Sequence, residues 1–125
     1  GQGLPVSVMV ETGLEDIACG EDCHGFLLSH DHISAARALS SVDDVLGGLT
    51  TGADNRCLGV LGAAEVDALG NVNSTRTREG SFLAGSGRAN DIASAAAEVV
   101  VLATCERRRL VDAVAHVTSP GHRVT

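Results

Sequence analysis

Residues 85–103, GSGRANDIASAAAEVVVLA, decide the fold that the sequence predicts. Small side chains at 89–97 follow a glycine-flanked turn at 85–87 and indicate a helix. The next segment, EVVVLA at 98–103, holds four successive apolar residues and predicts a strand covered on both faces. A helix of this kind leading into such a strand is typical of an α/β protein with a mostly parallel sheet.

Other segments of the chain fit the same class of fold. Valines alternate with other residues along PVSVMV at 5–10, which predicts a strand ending at a turn in 11–13. The short apolar run CLGVL at 57–61 predicts a buried strand. The remaining predictions are a loop at 14–32, a helix within 33–49 with a capping-box pattern at 41–44, a hairpin over 65–73, an exposed loop at 74–80 and a weak strand within 111–117.

The composition favours one compactly packed domain. The chain has two Phe and no Trp or Tyr, so its core is expected to consist of Val, Leu, Ile and Ala. Side chains of this size suit helices packed closely on a sheet. We therefore predict a single domain, 1–125, built as an open, mostly parallel sheet with helices on its faces.

The charge balance argues against several kinds of partner. Net charge is -7 and all nine basic residues are Arg, without a basic stripe, so neither nucleic acid nor a membrane surface is expected as partner. No apolar run approaches the roughly 20 residues that cross a bilayer, and no signal-peptide pattern is present. We expect a cytoplasmic protein whose four cysteines are free thiols.

The turns that follow predicted strands carry the candidate site residues. In parallel α/β sheets, ligands bind beyond the carboxyl ends of the strands. Three such ends are of interest, at Glu11–Gly13, Gly62–Ala64 and Thr104–Cys105. The turn at 85–87 is a fourth candidate, because glycines and a helix start let backbone N–H groups approach an anionic group.

Three segments together resemble the β subunits of family I coenzyme A transferases, those of the glutaconate type in particular. They are LGAAEVD at 61–67 with GNVN at 70–73, GSGRANDIAS at 85–94, and ERRR at 106–109 with TSPG at 118–121. The chain is also similar to the β subunit of steroid ring-opening CoA hydrolases. Family β subunits are longer at both ends, so the resemblance implies a partial chain. This sequence departs from the family at Arg88, where another Gly is usual.

The resemblance implies a catalytic glutamate in a Glu-x-Gly motif, the position that Glu11 occupies here. Its carboxylate would take CoA from an acyl-CoA as a glutamyl thioester and pass it to a carboxylic acid. The implied substrate-binding residues are Gly13, Gly62, Ala63, Gly85, Ser86, Gly87 and Asn90. The family also implies an α-type partner subunit, with coenzyme A as a substrate and no permanently bound cofactor.

Other interpretations of the same residues stay open. Glu11 could be a solvated carboxylate that closes a strand, and Glu65 and Asp67 could be exposed or lie at a subunit contact. The function could be that of a ring-opening CoA hydrolase of the same fold, or of a non-catalytic piece that packs against a partner. Gly85-x-Gly87-x-x-Asn90 lacks the third glycine of a dinucleotide-binding fingerprint.

A zinc module is a further alternative. Its candidate ligands are Cys19, Cys23, His24, His30 and His32. Their spacing is not that of a common zinc site, so no metal is predicted.

Overall fold

The computed structural model describes residues 6–17 and 30–122. The chain divides into two compact units, Gly1–Leu49 and Thr50–Thr125. The single domain over 1–125 stays a prediction. In chain order the elements are β1 (Leu14–Glu15), α1 (His30–Ala35), β2 (Ala38–Leu39), a π-helix (Asp44–Thr50), β3 (Leu58–Gly62), β4 (Glu65–Asp67), β5 (Val72–Asn73), α2 (Ala89–Ala95), β6 (Glu98–Leu102) and β7 (Leu110–Val111).

The first unit contains a tight reversal of the chain between Val8 and Asp16. The Asp16 N–H donates to the Val8 carbonyl at 2.7 Å, and β1 then pairs antiparallel with β2. The predicted strand at 5–10 is wrong for residues 6–10. These residues form one isolated bridge, Met9 to Glu15, because no neighbouring strand in the described residues offers them a ladder. The predicted loop at 14–32 is likewise wrong at β1 and at residues 30–32, which begin α1, while residues 18–29 lie outside the described residues.

The predicted helix within 33–49 is interrupted. The Arg37 N–H donates to the Glu15 carbonyl at 2.8 Å, and the extended β2 follows, so α1 stops at Ala35. The helical segment resumes after the capping box, which is confirmed. The Ser41 Oγ accepts from the Asp44 N–H at 3.0 Å, and the Ser41 N–H donates to the Asp44 carboxylate at 3.3 Å.

The second unit contains the longest strand pairing. β3 and β6 pair in parallel over their whole lengths, from Leu58 beside Glu98 to Gly62 beside Leu102. β4 is the middle strand of a separate sheet, antiparallel to β5 and parallel to β7. These mixed sheets with α2 confirm the α/β class. They also confirm the predicted strands at 57–61 and 98–103, the hairpin and the helix within 89–97, which spans Ala89–Ala95.

Helix α2 packs on one face of the β3–β6 pair at Gly59. A Cβ on Gly59 would lie 2.6 Å from Ile92 Cγ2 and 3.3 Å from Ala96 Cβ, so this close approach requires glycine. Asn55, just before β3, donates from Nδ2 to the Ala95 carbonyl at 3.1 Å. The last residue of α2 therefore lies beside the start of β3, and its first residues point toward the carboxyl end of that strand.

The opposite face of the β3–β6 pair is apolar and exposed. Alternate residues of paired parallel strands share a face. On this face Leu58 and Val60 are each 57% exposed, Val100 43% and Leu102 61%. We call these four residues the open apolar face. The expectations that the strand at 57–61 is buried and that the strand at 98–103 is covered on both faces are therefore wrong for this face in the described part of the chain.

The weak strand predicted within 111–117 is limited to the two residues of β7, Leu110–Val111. Beyond β7, backbone N–H groups donate hydrogen bonds to side chains instead of to a neighbouring strand. The Val114 N–H donates to the Asp67 carboxylate at 3.4 Å and the Ala115 N–H to the Glu65 carboxylate at 2.7 Å. Within the described ranges, the helices lack the length and apolar character needed to cross a bilayer.

Candidate functional site

Glu11 lies at the tip of a β-turn. The turn is closed by the Gly13 N–H, which donates to the Val10 carbonyl at 2.8 Å, and Glu11 itself is half-buried. The hydroxyl oxygen of Thr12 is buried and has no hydrogen-bond partner among the described residues. The carboxylate thus belongs to a tight chain reversal, not to the end of a regular strand as predicted.

Gly13 is required for the shape of this turn. Its φ is +101°, and an added Cβ would lie 1.8 Å from the Ser40 carbonyl oxygen. The Ser40 N–H in turn donates to the Gly13 carbonyl at 2.7 Å. Gly13 therefore helps to position Glu11 and Thr12. Its contact with substrate stays a prediction.

Asp16 fixes the base of the reversal. Its Oδ1 accepts from the Val8 N–H at 2.8 Å and from the Ser7 hydroxyl at 2.9 Å, while its Oδ2 pairs with Arg37 Nε at 2.7 Å. The Val8 hydrogen bond foremost, then that of Ser7, lowers the pKa of Asp16. An ionised carboxylate thus holds together the segment that presents Glu11.

Gly62 and Ala63 form the carboxyl end of β3. The Ala63 N–H donates to the Leu102 carbonyl at 3.1 Å, and the Ala63 carbonyl accepts from Arg109 Nη1 at 3.2 Å. Gly62 is exposed, and a Cβ there would meet no described atom within 4 Å. Packing therefore does not explain the glycine, whose bare backbone leaves space beside the strand end.

The turn of Gly85, Ser86 and Gly87 is exposed and leads directly into α2. The Ala89 N–H donates to the Ser86 carbonyl at 2.8 Å. Because α2 runs antiparallel to β3, this turn lies toward the same end of the second unit as Gly62. Asn90 is exposed in the first turn of α2. The predicted substrate-binding residues of the second unit therefore share one end of it, whereas Glu11 and Gly13 form a separate group in the first unit.

Arg88 is the N-cap residue of α2 and has φ +63°, a left-handed conformation. No side chain caps the helix, so its first N–H groups are not satisfied by an N-cap side chain. The left-handed region is unfavourable for residues with a Cβ and is the natural place for glycine. This geometry explains why a glycine would be suited to this position, where the present sequence has Arg.

Glu65 and Asp67 are structural carboxylates, and the expectation of exposed positions is wrong for Asp67, which is buried. Asp67 accepts from the Leu69 and Asn71 N–H groups, each at 3.0 Å, and from the Asn71 side chain at 3.0 Å. The Asn71 amide foremost lowers the pKa of Asp67. These contacts close the hairpin turn between β4 and β5.

The TSPG segment at 118–121 has a structural role as well. The Thr118 and Ser119 N–H groups donate to the Val72 carbonyl at 2.8 and 3.0 Å. A Cβ on Gly121 would lie 2.0 Å from the Leu69 carbonyl oxygen. This segment therefore fastens the β4–β5 hairpin, which accounts for a motif that the resemblance had linked to the family without a chemical role.

A cavity of about 470 Å³ in the second unit was missed by the sequence analysis. Its lining includes four arginines, Arg76, Arg78, Arg108 and Arg109. The available signals were the alternation of Arg76 with Arg78 and the arginine run at 107–109. These two segments are far apart in sequence, so only the fold brings them to one cavity.

The described residues hold no group of three or more His, Cys, Asp or Glu side chains that could bind a metal. Of the proposed zinc ligands, Cys19, Cys23 and His24 lie outside the described residues, and His32 is buried. Neither of the described cysteines, Cys57 and Cys105, belongs to a disulfide among the described residues.

Known proteins match this chain in both fold and sequence. The solved structure of glutaconate coenzyme A-transferase from Acidaminococcus fermentans superimposes with a TM-score of 0.76 and 26% identity, over 90% of this chain and 45% of that one. In sequence, the chain is 41% identical over 69 residues to the B subunit of 3-oxoadipate CoA-transferase from Pseudomonas knackmussii. It is 37% identical over 75 residues to the B subunit of glutaconate CoA-transferase from Acidaminococcus fermentans.

The sequence alignments cover 52% and 54% of this chain and 26% of each relative. The chain therefore spans about a quarter of the length of these curated relatives. No family model matches it.

Fold and sequence together make this α/β chain similar to coenzyme A transferases. Within that class the chain is a relative of the β-type chains, the B subunits of such enzymes, which confirms the resemblance predicted from the three motif segments.

Proposed function

We propose that this chain is a β-type subunit of a cytoplasmic coenzyme A transferase, and that Glu11 is its nucleophile. It transfers CoA from an acyl-CoA to a carboxylic acid together with an α-type partner subunit. The observation that carries the proposal is the match to glutaconate coenzyme A-transferase over 90% of the chain. The names of the curated relatives, both of them B subunits, support the existence of a partner chain.

The proposed reaction exchanges a thioester for an anhydride and back again. The Glu11 carboxylate attacks the thioester carbonyl, forms a mixed acyl anhydride and releases CoA thiolate. The thiolate then attacks the Glu11 carbonyl, which frees the first carboxylate and leaves a glutamyl-CoA thioester. An acceptor carboxylate reverses both steps. Charge balances throughout, because one carboxylate and one thiolate are consumed and regenerated without a net proton.

The geometry around Glu11 suits a carboxylate that must be reached by a large substrate. The side chain is half-buried at the tip of a turn, and so it is partly open to solvent. The buried Thr12 hydroxyl beside it has a free hydrogen-bonding capacity among the described residues. A rigid turn keeps the nucleophile in one place, which lowers the entropic cost of reaching the transition state.

The second unit supplies the proposed binding elements. Gly62 and the turn of Gly85, Ser86 and Gly87 share one end of that unit and are exposed. Bare backbone N–H groups at such positions can come close to an anionic group of the substrate. The first turn of α2, with Asn90, would face the same substrate.

The alternative of a ring-opening CoA hydrolase has less support. Each named relative and the solved structure are transferases, and none is named as a hydrolase. The two reactions differ in whether a carboxylic acid or water completes the cycle.

The test is Glu11→Gln in the chain assembled with its α-type partner. We expect the wild-type complex, given acyl-CoA alone, to gain the mass of a CoA thioester on this chain, and the variant to gain none. Exposed Glu98 is the matched control, and Glu98→Gln should behave as wild type. Full transferase activity in Glu11→Gln would remove Glu11 from the mechanism. Thioester turnover with no need for an acceptor acid would favour the hydrolase.

A further inference from the structure

Four arginines converge on one cavity of a chain whose overall charge is strongly negative. Arg76, Arg78, Arg108 and Arg109 line a space of about 470 Å³. They are four of the nine basic residues in a chain of net charge -7. A local positive cluster against that background attracts anions to this one place.

The four guanidinium groups are only partly engaged by the protein. Arg78 donates to the Ala113 carbonyl at 3.0 Å, and Arg108 pairs with Glu106. No hydrogen bond or ion pair within the described residues engages the Arg76 guanidinium. Most of the donor capacity at the cavity is therefore open to a ligand.

Arg109 adds an independent observation. Its Nη1 donates to the Ala63 carbonyl at 3.2 Å, which fixes the guanidinium, yet its Nε is buried and has no partner among the described residues. A buried donor without a partner costs free energy unless a ligand or water satisfies it. A fixed guanidinium with a spare donor is suited to an oxyanion.

The carboxylates at the cavity do not cancel its positive charge. Glu65 and Glu79 also line it. One oxygen of Glu65 already accepts from Asn73 Nδ2 at 2.8 Å and from the Ala115 N–H at 2.7 Å. Together with Glu106, which pairs with Arg108, three carboxylates stand against four guanidinium groups, so a small excess of positive charge remains at the wall of the cavity.

The cavity borders the proposed acyl-CoA site. Ala63, held by Arg109, directly follows Gly62, and the cavity-lining Leu83 lies two residues before Gly85. We propose that the cavity binds the phosphate groups at the nucleotide end of coenzyme A. This inference rests on the proposed function, which makes CoA a substrate of the same unit. Guanidinium groups bind phosphate oxygens through paired hydrogen bonds, and several of them around one space suit a ligand with several phosphates.

The test compares ligands that carry different parts of coenzyme A. Binding of CoA, of adenosine 3′,5′-bisphosphate and of pantetheine to the assembled enzyme is measured by calorimetry for wild type, Arg76→Gln and Arg108→Gln. Arg56→Gln is the matched control, because Arg56 is exposed, lies in the same unit and is not part of the cavity wall. Each cavity variant should weaken CoA and the bisphosphate by about three- to tenfold and leave pantetheine unchanged. In kinetics, KM for acyl-CoA should rise by a similar factor while kcat is kept.

The outcomes separate this inference from the function on which it rests. If the cavity variants bind CoA as Arg56→Gln does while transferase activity persists, the phosphate site is wrong and the proposed function stands. If the wild-type complex neither binds CoA nor transfers it, both are wrong. Equal weakening of inorganic phosphate and CoA would mean a general anion site only. Loss of assembly with the α-type partner, with CoA binding intact, would make the cluster a protein contact and overturn the inference.

Discussion

Gly13 and Ser40 are in direct backbone contact: a Cβ on Gly13 would stand 1.8 Å from the Ser40 carbonyl oxygen, and the Ser40 N–H donates to the Gly13 carbonyl at 2.7 Å. This contact joins the turn that carries Glu11 to the segment before the π-helix. It leaves no space for a side chain, whatever else Gly13 contributes.

Gly13→Ala should therefore destabilise the first unit. The new methyl group meets rigid backbone and must adopt φ +101°, so we expect the free energy of unfolding to fall by about 2–4 kcal/mol. Urea denaturation measures the change. Gly48→Ala is the control, since a Cβ at Gly48 meets no described atom within 4 Å. A Gly13→Ala chain as stable as the control would contradict the structure of this turn.

Gly59 and Gly62 lie on the same strand and allow structural and functional roles of glycine to be separated. Gly59→Ala places a methyl group 2.6 Å from Ile92 Cγ2, so we expect a loss of about 1–3 kcal/mol in the free energy of unfolding. Gly62→Ala meets open space and should keep its stability while raising KM for acyl-CoA. Denaturation curves and steady-state kinetics of both variants check this pair. Equal stability losses would show that Gly62 is a packing residue.

The carboxylates of Glu65 and Asp67 should make stability fall in acid. Burial tends to raise the pKa of Glu65, but the Ala115 and Asn73 donors outweigh it, so the pKa values of both groups lie below their ordinary 4.5 and 3.8. The unfolded chain then binds more protons. The stability that these groups contribute is therefore present above their ordinary pKa values and is lost as pH falls through the folded ones, from about pH 5 downward.

The Asp67→Asn variant tests how much of the loss of stability in acid comes from the Asp67 carboxylate. The variant should be less stable than wild type at pH 7, and the difference should narrow as the pH is lowered through the acid range. Thermal unfolding at a series of pH values gives both slopes. Parallel pH profiles for the two proteins would mean that Asp67 does not titrate differently in the folded chain.

Removing the capping box at Ser41 should have a smaller effect on the free energy of unfolding. Ser41→Ala removes the acceptor for the Asp44 N–H, and we expect about 1 kcal/mol less stability. Ser41→Thr, which keeps the hydroxyl as acceptor from the Asp44 N–H and donor to the Asp44 carboxylate, should lose less than Ser41→Ala. An alanine variant with unchanged denaturation would argue that the start of this helical segment does not depend on its cap.

The sequence predicted those elements that have a strong signal within their own residues. The apolar run at 98–103 and the small-residue helix at 89–97 lie close to where the structure has them, because an apolar run and a stretch of small residues are local signals. The hairpin over 65–73 followed from its turn residues. The capping pattern at 41–44 was local by nature.

The failures share one cause, which is competition from distant groups. The valine alternation at 6–10 finds no partner strand among the described residues, and β1 exists through pairing with Ala38 and Leu39. The segment after Val111 bonds to carboxylates on β4 instead of to a strand. No local sequence pattern predicts such long-range hydrogen bonds. For the same reason the arginine cavity was not predicted, since it needs two segments about 30 residues apart.

The open apolar face also bears on how the chain behaves at different concentrations. Water against Leu58, Val60, Val100 and Leu102 costs free energy in proportion to their contact area, roughly 25 cal/mol for each Å². Any surface that displaces this water recovers that free energy. In the absence of a partner, copies of the chain should therefore self-associate as the protein concentration rises. Light scattering of a dilution series should rise steeply with protein concentration. The double substitution of Val100→Thr with Leu102→Ser should make this rise less steep. Colloidal stability is therefore governed by the two strands that form the longest pairing of the fold.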